Sequence, residues 1–182
     1  MPSALGLLEF KSVAAGIQAT DAMLKTAQVE LLFSSAVCPG KYVTIIAGEV
    51  SAVRSSLEAG RSVGEPFVVG EFVLASVHPS VLPAITATTG IEAVDAVGVV
   101  ETFSVATAIL AGDAAAKAAE IELIEIRIAR GLGGKAFAIF TGNVAAVEAA
   151  MAVAIEPAKS QGLLTHYTVL PAPHPDLVRS LL

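Results

Sequence analysis

The chain carries two copies of one pattern, and that repeat constrains its fold more than any other feature. Ala4-Leu5-Gly6-Leu7-Leu8-Glu9 returns 92 positions later as Ala96-Val97-Gly98-Val99-Val100-Glu101. At the same spacing Ser12-Val13-Ala14 meets Ser104-Val105-Ala106, Ile17 meets Ile109, Asp21-Ala22 meets Asp113-Ala114, Lys25 meets Lys117, and Glu30-Leu31 meets Glu122-Leu123. The spacing grows to 94 where Gly40-Lys41 meets Gly134-Lys135, and to 96 where His78-Pro79 meets His174-Pro175. Steps of this kind are what loop insertions produce, because loops absorb extra residues that packed elements reject. Two copies are too few for a solenoid, whose repeats bury a core only by stacking in numbers. The pattern therefore describes a duplicated domain.

Each copy reads in the same order. Residues 4–10 alternate weakly and predict a strand. Over 12–27 the apolar positions Val13, Ile17, Met23, Leu24 and Ala27 are spaced for a helix, with Ser12 as its N-cap. Val29–Ser35 and Tyr42–Ala47 are rich in apolar and β-branched residues and predict two strands around a loop at 36–41. A second helix is expected over 49–62 and a strand over Phe67–Ser76. The order is βαββαβ, so the expected class is α/β (α+β), with antiparallel-rich sheets and helices on one face. The expected domains span 1–88 and 96–182, joined by a linker at 89–95.

Composition bears on what such small domains do with their surfaces. The chain is 54% hydrophobic and 15% charged, against about 45–50% and about 25% in ordinary soluble domains. Its polar surface is too small to cover it, so association with other chains is expected. A net charge of −6 leaves no footprint for nucleic acid. The longest charge-free stretch, 72–91, contains His78, Pro79, Ser80, Pro83 and Gly90 and makes a poor membrane span. With no basic leader ahead of an apolar stretch, the expectation is a cytoplasmic protein with neither nucleic-acid nor membrane partners. A single cysteine excludes a disulfide within the chain and fits a reducing compartment.

Few residues suggest chemistry. A lone cysteine is ordinarily a small buried apolar residue. Cys38, however, precedes Pro39-Gly40, a turn signal, and its counterpart in the second copy is Arg130 or Gly131. The run Arg130-Gly131-Leu132-Gly133-Gly134-Lys135 lacks the first glycine and the final Ser/Thr of a phosphate-binding loop, holding Ala129 and Ala136 there instead. Its glycines suit a tight turn lined by backbone. No Ser-His-Asp order, paired catalytic acids or zinc spacing stands out, so no enzyme activity is expected. The repeated Glu9 and Glu101 read as architecture. His78 and His174, each before proline, read as structural, and His166 as a residue on a strand surface.

Leu5-Gly6-Leu7-Leu8-Glu9, Asp21-Ala22-Met23-Leu24-Lys25 and Gly48-Glu49-Val50-Ser51-Ala52-Val53, each with a second-copy counterpart in the same order, resemble the bacterial microcompartment shell domain. The resemblance covers nearly the whole chain twice and is unpermuted, as in tandem-domain shell proteins that trimerise into pseudohexameric tiles. Ser35–Lys41 and His78–Ile85 further resemble the iron–sulfur type among propanediol-utilisation shell proteins, whose pore-loop cysteine binds a cluster on the three-fold axis. The resemblance implies a homotrimer that associates with other shell proteins and with enclosed redox enzymes. It implies one [4Fe–4S] cluster per trimer, held by three copies of Cys38 with one iron left for a ligand from outside the protein. It assigns Val37, Pro39, Gly40, Lys41, Arg130, Gly131, Leu132 and Gly133 to pore loops, where Lys41, Arg130 and Lys135 offset the cluster's negative charge. It also places Lys25 and Lys117 at tile edges; otherwise these lysines are ordinary partners of Asp21 and Asp113 one helical turn away. One departure is that Ser76 and Ala172 stand where single-domain relatives commonly carry an edge arginine. Two other readings stay open at this point: a metabolite-conducting tile without a cluster, and a trimeric small-ligand-binding regulator.

Overall fold

The structure, a computed structural model, describes residues 2–128 and 131–182. The chain divides into two compact units, one ending at Val77 and the other beginning at His78. The first holds β1 (Ala4–Phe10), α1 (Val13–Thr26), β2 (Glu30–Val37), β3 (Lys41–Gly48), α2 (Val50–Gly64) and β4 (Val68–Ala75). The second opens with a short helix, α3 (Val81–Thr86). It continues with β5 (Ala96–Thr102), α4 (Val105–Ala118), β6 (Glu122–Arg127), β7 (Ala136–Gly142), α5 (Val144–Ala154), α6 (Glu156–Ser160), β8 (Leu164–Leu170) and α7 (Pro175–Leu181). The βαββαβ order expected from the repeat is present in both.

Each unit has a four-stranded antiparallel sheet, ordered β2-β3-β1-β4 in the first and β6-β7-β5-β8 in the second. The duplication extends to the irregularities. Pairing with the last strand slips between Glu9 and Phe10 in one sheet and between Glu101 and Thr102 in the other. Pairing of the edge hairpins slips between Leu31 and Phe33, and between Leu123 and Glu125. A bulge redirects a strand and breaks its ladder locally, so these matched slips belong to the module and not to either copy.

The local signals explain the elements. Ser12 and Ser104 cap α1 and α4 by accepting the backbone N–H of Ala15 and Thr107, which satisfies donors left over at a helix start. Asn143 does the same for α5. α1 and α2 pack on each other and on the sheet over a core of Leu8, Phe10, Met23, Ile46, Val53 and Leu57. Gly6 lets α2 approach the sheet: a β-carbon there would lie 2.6 Å from Val53 Cγ1. β1 alternates only weakly because Leu5 and Leu7 are buried as well as Ala4 and Leu8 on the opposite face.

Three features differ from expectation. The loop expected over 36–41 shrinks to Cys38–Gly40, because Ala36 pairs with Tyr42 and Val37 with Lys41 to extend the hairpin. Residues 78–95 contain α3 and pack within the second unit, with Val81 and Ala84 fully buried. The Asp113 carboxylate accepts the His78 N–H at 2.8 Å, Thr89 Oγ1 donates to the Ile124 carbonyl at 2.9 Å, and the Asp95 N–H donates to Thr141 Oγ1 at 3.0 Å. Finally, α6 and α7 are too short to carry a periodic signal. Among the described residues no helix is long and apolar enough to cross a membrane.

Candidate functional site

Cys38 lies half-buried in the β2–β3 turn. The Gly40 N–H donates to the Val37 carbonyl at 3.0 Å, and Gly40 takes φ +82°, a left-handed conformation that costs glycine little. Of the residues expected to form a pore loop, Pro39 and Gly40 make the turn, while Val37 and Lys41 are paired strand ends. In the second unit the turn between β6 and β7 is longer and glycine-rich. Gly131, Gly133 and Gly134 have positive φ, and the Lys135 N–H donates to the Leu132 carbonyl at 3.1 Å. Arg130 lies outside the described residues.

The lysine following each turn is tied to the neighbouring central strand. Lys41 Nζ sits 3.2 Å from Glu9 Oε1 and Lys135 Nζ 2.5 Å from Glu101 Oε1. Glu9 faces Val43 and Glu101 faces Phe137, so each lysine reaches its carboxylate diagonally. Two of the expected compensating cations, Lys41 and Lys135, are therefore held by carboxylates of their own sheets. On β6 the Arg127 guanidinium forks onto both oxygens of Glu125 at 2.6 and 2.8 Å and stands 5.5 Å from the Phe137 ring centre. Hydrogen bonding to Glu125 raises its pKa above an already high ordinary value.

Beneath the cysteine-bearing hairpin lies a cluster of hydroxyls that sequence reasoning missed. Thr20 Oγ1 donates to the Gly16 carbonyl at 2.7 Å and meets Thr44 Oγ1 at 2.6 Å, while Ser34 Oγ meets the Tyr42 hydroxyl at 2.8 Å. By the repeat, Thr20, Ser34, Tyr42 and Thr44 correspond to Gly112, Ile126, Ala136 and Ala138, none of which carries a hydroxyl. A β-carbon on Gly112 would lie 2.7 Å from Ile126 Cδ1, and one on Gly16 would lie 2.5 Å from Tyr42 Cδ1, where the second unit pairs Ala108 with Ala136. Comparing the copies position by position carries the signal that would have found this cluster.

Lys25 and Lys117 each bind the aspartate one turn earlier at 2.6 Å. The two settings differ, since Asp21 is exposed and Asp113 is buried.

Among the described residues no group of three or more His, Cys, Asp or Glu is placed to hold a metal ion. One thiolate is one ligand, and a cuboidal cluster takes about four. A cluster at Cys38 must therefore be shared between chains. A partly exposed thiol on a turn suits such sharing, because a turn reaches a neighbouring molecule where a strand interior does not.

The BMC domain model matches this chain twice, over residues 4–81 and 96–173, one match for each βαββαβ module. The chain belongs to the BMC-domain family. Its BMC domains are 42% identical over 181 residues to the bacterial microcompartment shell protein PduT of Citrobacter freundii, covering 100% of this chain and 98% of that one. The carboxysome assembly protein CcmO of a Synechocystis strain is 30% identical over 98% of this chain and 64% of its own length. A crystal structure of a microcompartments protein from Desulfitobacterium hafniense DCB superposes with a TM-score of 0.95 at 48% identity, covering 97% of this chain and 98% of that chain. The chain is thus a tandem-domain microcompartment shell protein, and the regulator reading is set aside.

Proposed function

We propose that this BMC protein is a homotrimeric, pseudohexameric shell tile whose three Cys38 turns meet at a central pore and hold one [4Fe–4S] cluster. Electrons pass through that cluster across the shell, between redox partners on its two faces. The observation that carries this reading is the placement of the single cysteine: half-buried, at a hairpin turn, in one copy only. A trimer built from such chains has six turns of this type, and alternate ones bear sulfur, giving three thiolates. The glycine-rich second turn brings backbone to the same rim without a competing ligand. Lys25 and Lys117, repeated at matched positions, serve the lateral edges of the tile.

Anaerobic purification with iron and sulfide determination tests this. The expected result is about four of each per three chains, with a brown colour that Cys38→Ser abolishes while the trimer persists. A colourless trimer without iron would overturn the cluster and leave a tile that conducts small metabolites through the same pore.

A further inference from the structure

The two copies differ in how much of the same face is covered. In the second unit Val105, Ile109 and Leu123 are 5%, 0% and 1% exposed. Their counterparts Val13, Ile17 and Leu31 are 41%, 55% and 42% exposed. In the second unit α3, the helix that follows the first copy, lies along β6 and touches α4. Asp113 fastens the entrance to α3 with both oxygens: Oδ1 accepts the His78 N–H at 2.8 Å and Oδ2 accepts Lys117 Nζ at 2.6 Å. Asp21, its counterpart, binds Lys25 through Oδ2 at 2.6 Å. Among the described residues no hydrogen bond to Asp21 Oδ1 is found.

The missing half of that contact exists at the other end of the chain. The segment following the second copy begins with the same His-Pro pair and the same local turn. The Ser80 N–H donates to His78 Nδ1 at 3.3 Å, and the Asp176 N–H donates to His174 Nδ1 at 3.1 Å. Yet α7 buries no residue, and Leu177, the counterpart of the fully buried Val81, is 40% exposed. Leu181 of this segment joins the apolar cluster on the second sheet, and among the described residues no hydrogen bond from the His174 N–H is found.

We infer that the His174–Leu182 tail of one chain docks on α1 and β2 of a second copy of this chain. There Asp21 Oδ1 accepts the His174 N–H, and Leu177 covers the exposed stripe of Val13, Ile17 and Leu31. Each chain then offers one tail and one acceptor face, a head-to-tail interface that closes into a ring when its rotation allows. The inference rests on the trimeric reading above and names the joint that holds the trimer.

The test uses full-length chains in a Cys38→Ser background, so that engineered thiols react alone. Chains with Leu31→Cys are mixed with chains carrying Leu177→Cys and treated with a short bis-maleimide. A covalent pair is expected in the mixture and in neither population by itself. In parallel, the wild type should show about three times the 18.4 kDa mass of one chain. Deletion of 174–182 should reduce that to a single chain, while Asp21→Ala should raise the dissociation constant about ten- to a hundredfold. A wild-type trimer that gives no crosslink, or that persists after the deletion, overturns the docking and leaves the trimeric tile standing. A wild type that stays a single chain at every concentration overturns both.

Discussion

Replacing Thr44 by Val isolates the hydroxyl cluster under the cysteine-bearing hairpin. Thr44 is fully buried, with its Oγ1 2.6 Å from Thr20 Oγ1 and 3.4 Å from Ser34 Oγ. Valine has nearly the same volume, so little packing is lost. The neighbours keep partners as well: Thr20 retains the Gly16 carbonyl at 2.7 Å and Ser34 the Tyr42 hydroxyl at 2.8 Å. No buried group is orphaned, so the expected cost is one net hydrogen bond, about 0.5–1.5 kcal/mol, below the ~1–3 kcal/mol of an unsatisfied polar group. In a chain of this length 1 kcal/mol moves the melting temperature by about 2–4 °C. Thr44→Ala should cost roughly 1.6 kcal/mol more than Thr44→Val, because it lacks both of valine's γ-methyls. Urea unfolding at unchanged m-value measures both variants. A double-mutant cycle with Thr20→Val should return a coupling close to the single-bond value. A neutral Thr44→Val would show that the hydroxyls add nothing net, and a loss above about 3 kcal/mol would show that valine does not fit; either refutes the argument.

Other substitutions test other parts of the structure. Gly98→Ala puts a β-carbon 2.4 Å from Cε2 of the fully buried Phe140, and overpacking of this kind should cost about 1–3 kcal/mol, read as a lower urea midpoint. Asp113→Ala removes the acceptor of the His78 N–H and the partner of Lys117. Thermal unfolding should show a loss of about 1.5–3 kcal/mol, and a loss under ~0.5 kcal/mol would mean that the segment leading into α3 is held by apolar contact alone. Lys25→Ala combined with Lys117→Ala should leave the trimer's mass unchanged and weaken lateral sheets seen by electron microscopy; unchanged sheets would return both lysines to the role of simple helix-surface pairs.

The parts of this protein legible in sequence are those whose causes are local or repeated. Ser12 and Ser104 announce helix starts because a capping hydroxyl acts within three residues. Cys38-Pro39-Gly40 announces a turn because backbone sterics favour these residues there. The duplication is visible because Gly6 and Gly98, Gly40 and Gly134, and Gly48 and Gly142 recur in the same order with the residues around them. The hydroxyl cluster was not legible, since residues 20, 34, 42 and 44 meet only after a helix and two strands fold against each other. Nor were the partners of Lys41 and Lys135, which stand on neighbouring strands. The length of the β2–β3 turn was decided by cross-strand pairing of Ala36 with Tyr42 and of Val37 with Lys41, not by the polarity of its residues.

By itself, the sequence determined a duplicated βαββαβ module with one cysteine at one turn. Only the tertiary structure decided which copy's surface is covered. Asp21 and Asp113 stand in the same local pattern, Asp-Ala with a lysine four residues after the aspartate, and bind that lysine at the same 2.6 Å. One is nonetheless 62% exposed and the other 7%. Local sequence sets backbone conformation and the nearest ion pair, which are alike in the two copies. Burial depends on which distant segment packs there, and His78, just before α3, reaches Asp113 across 35 residues of chain.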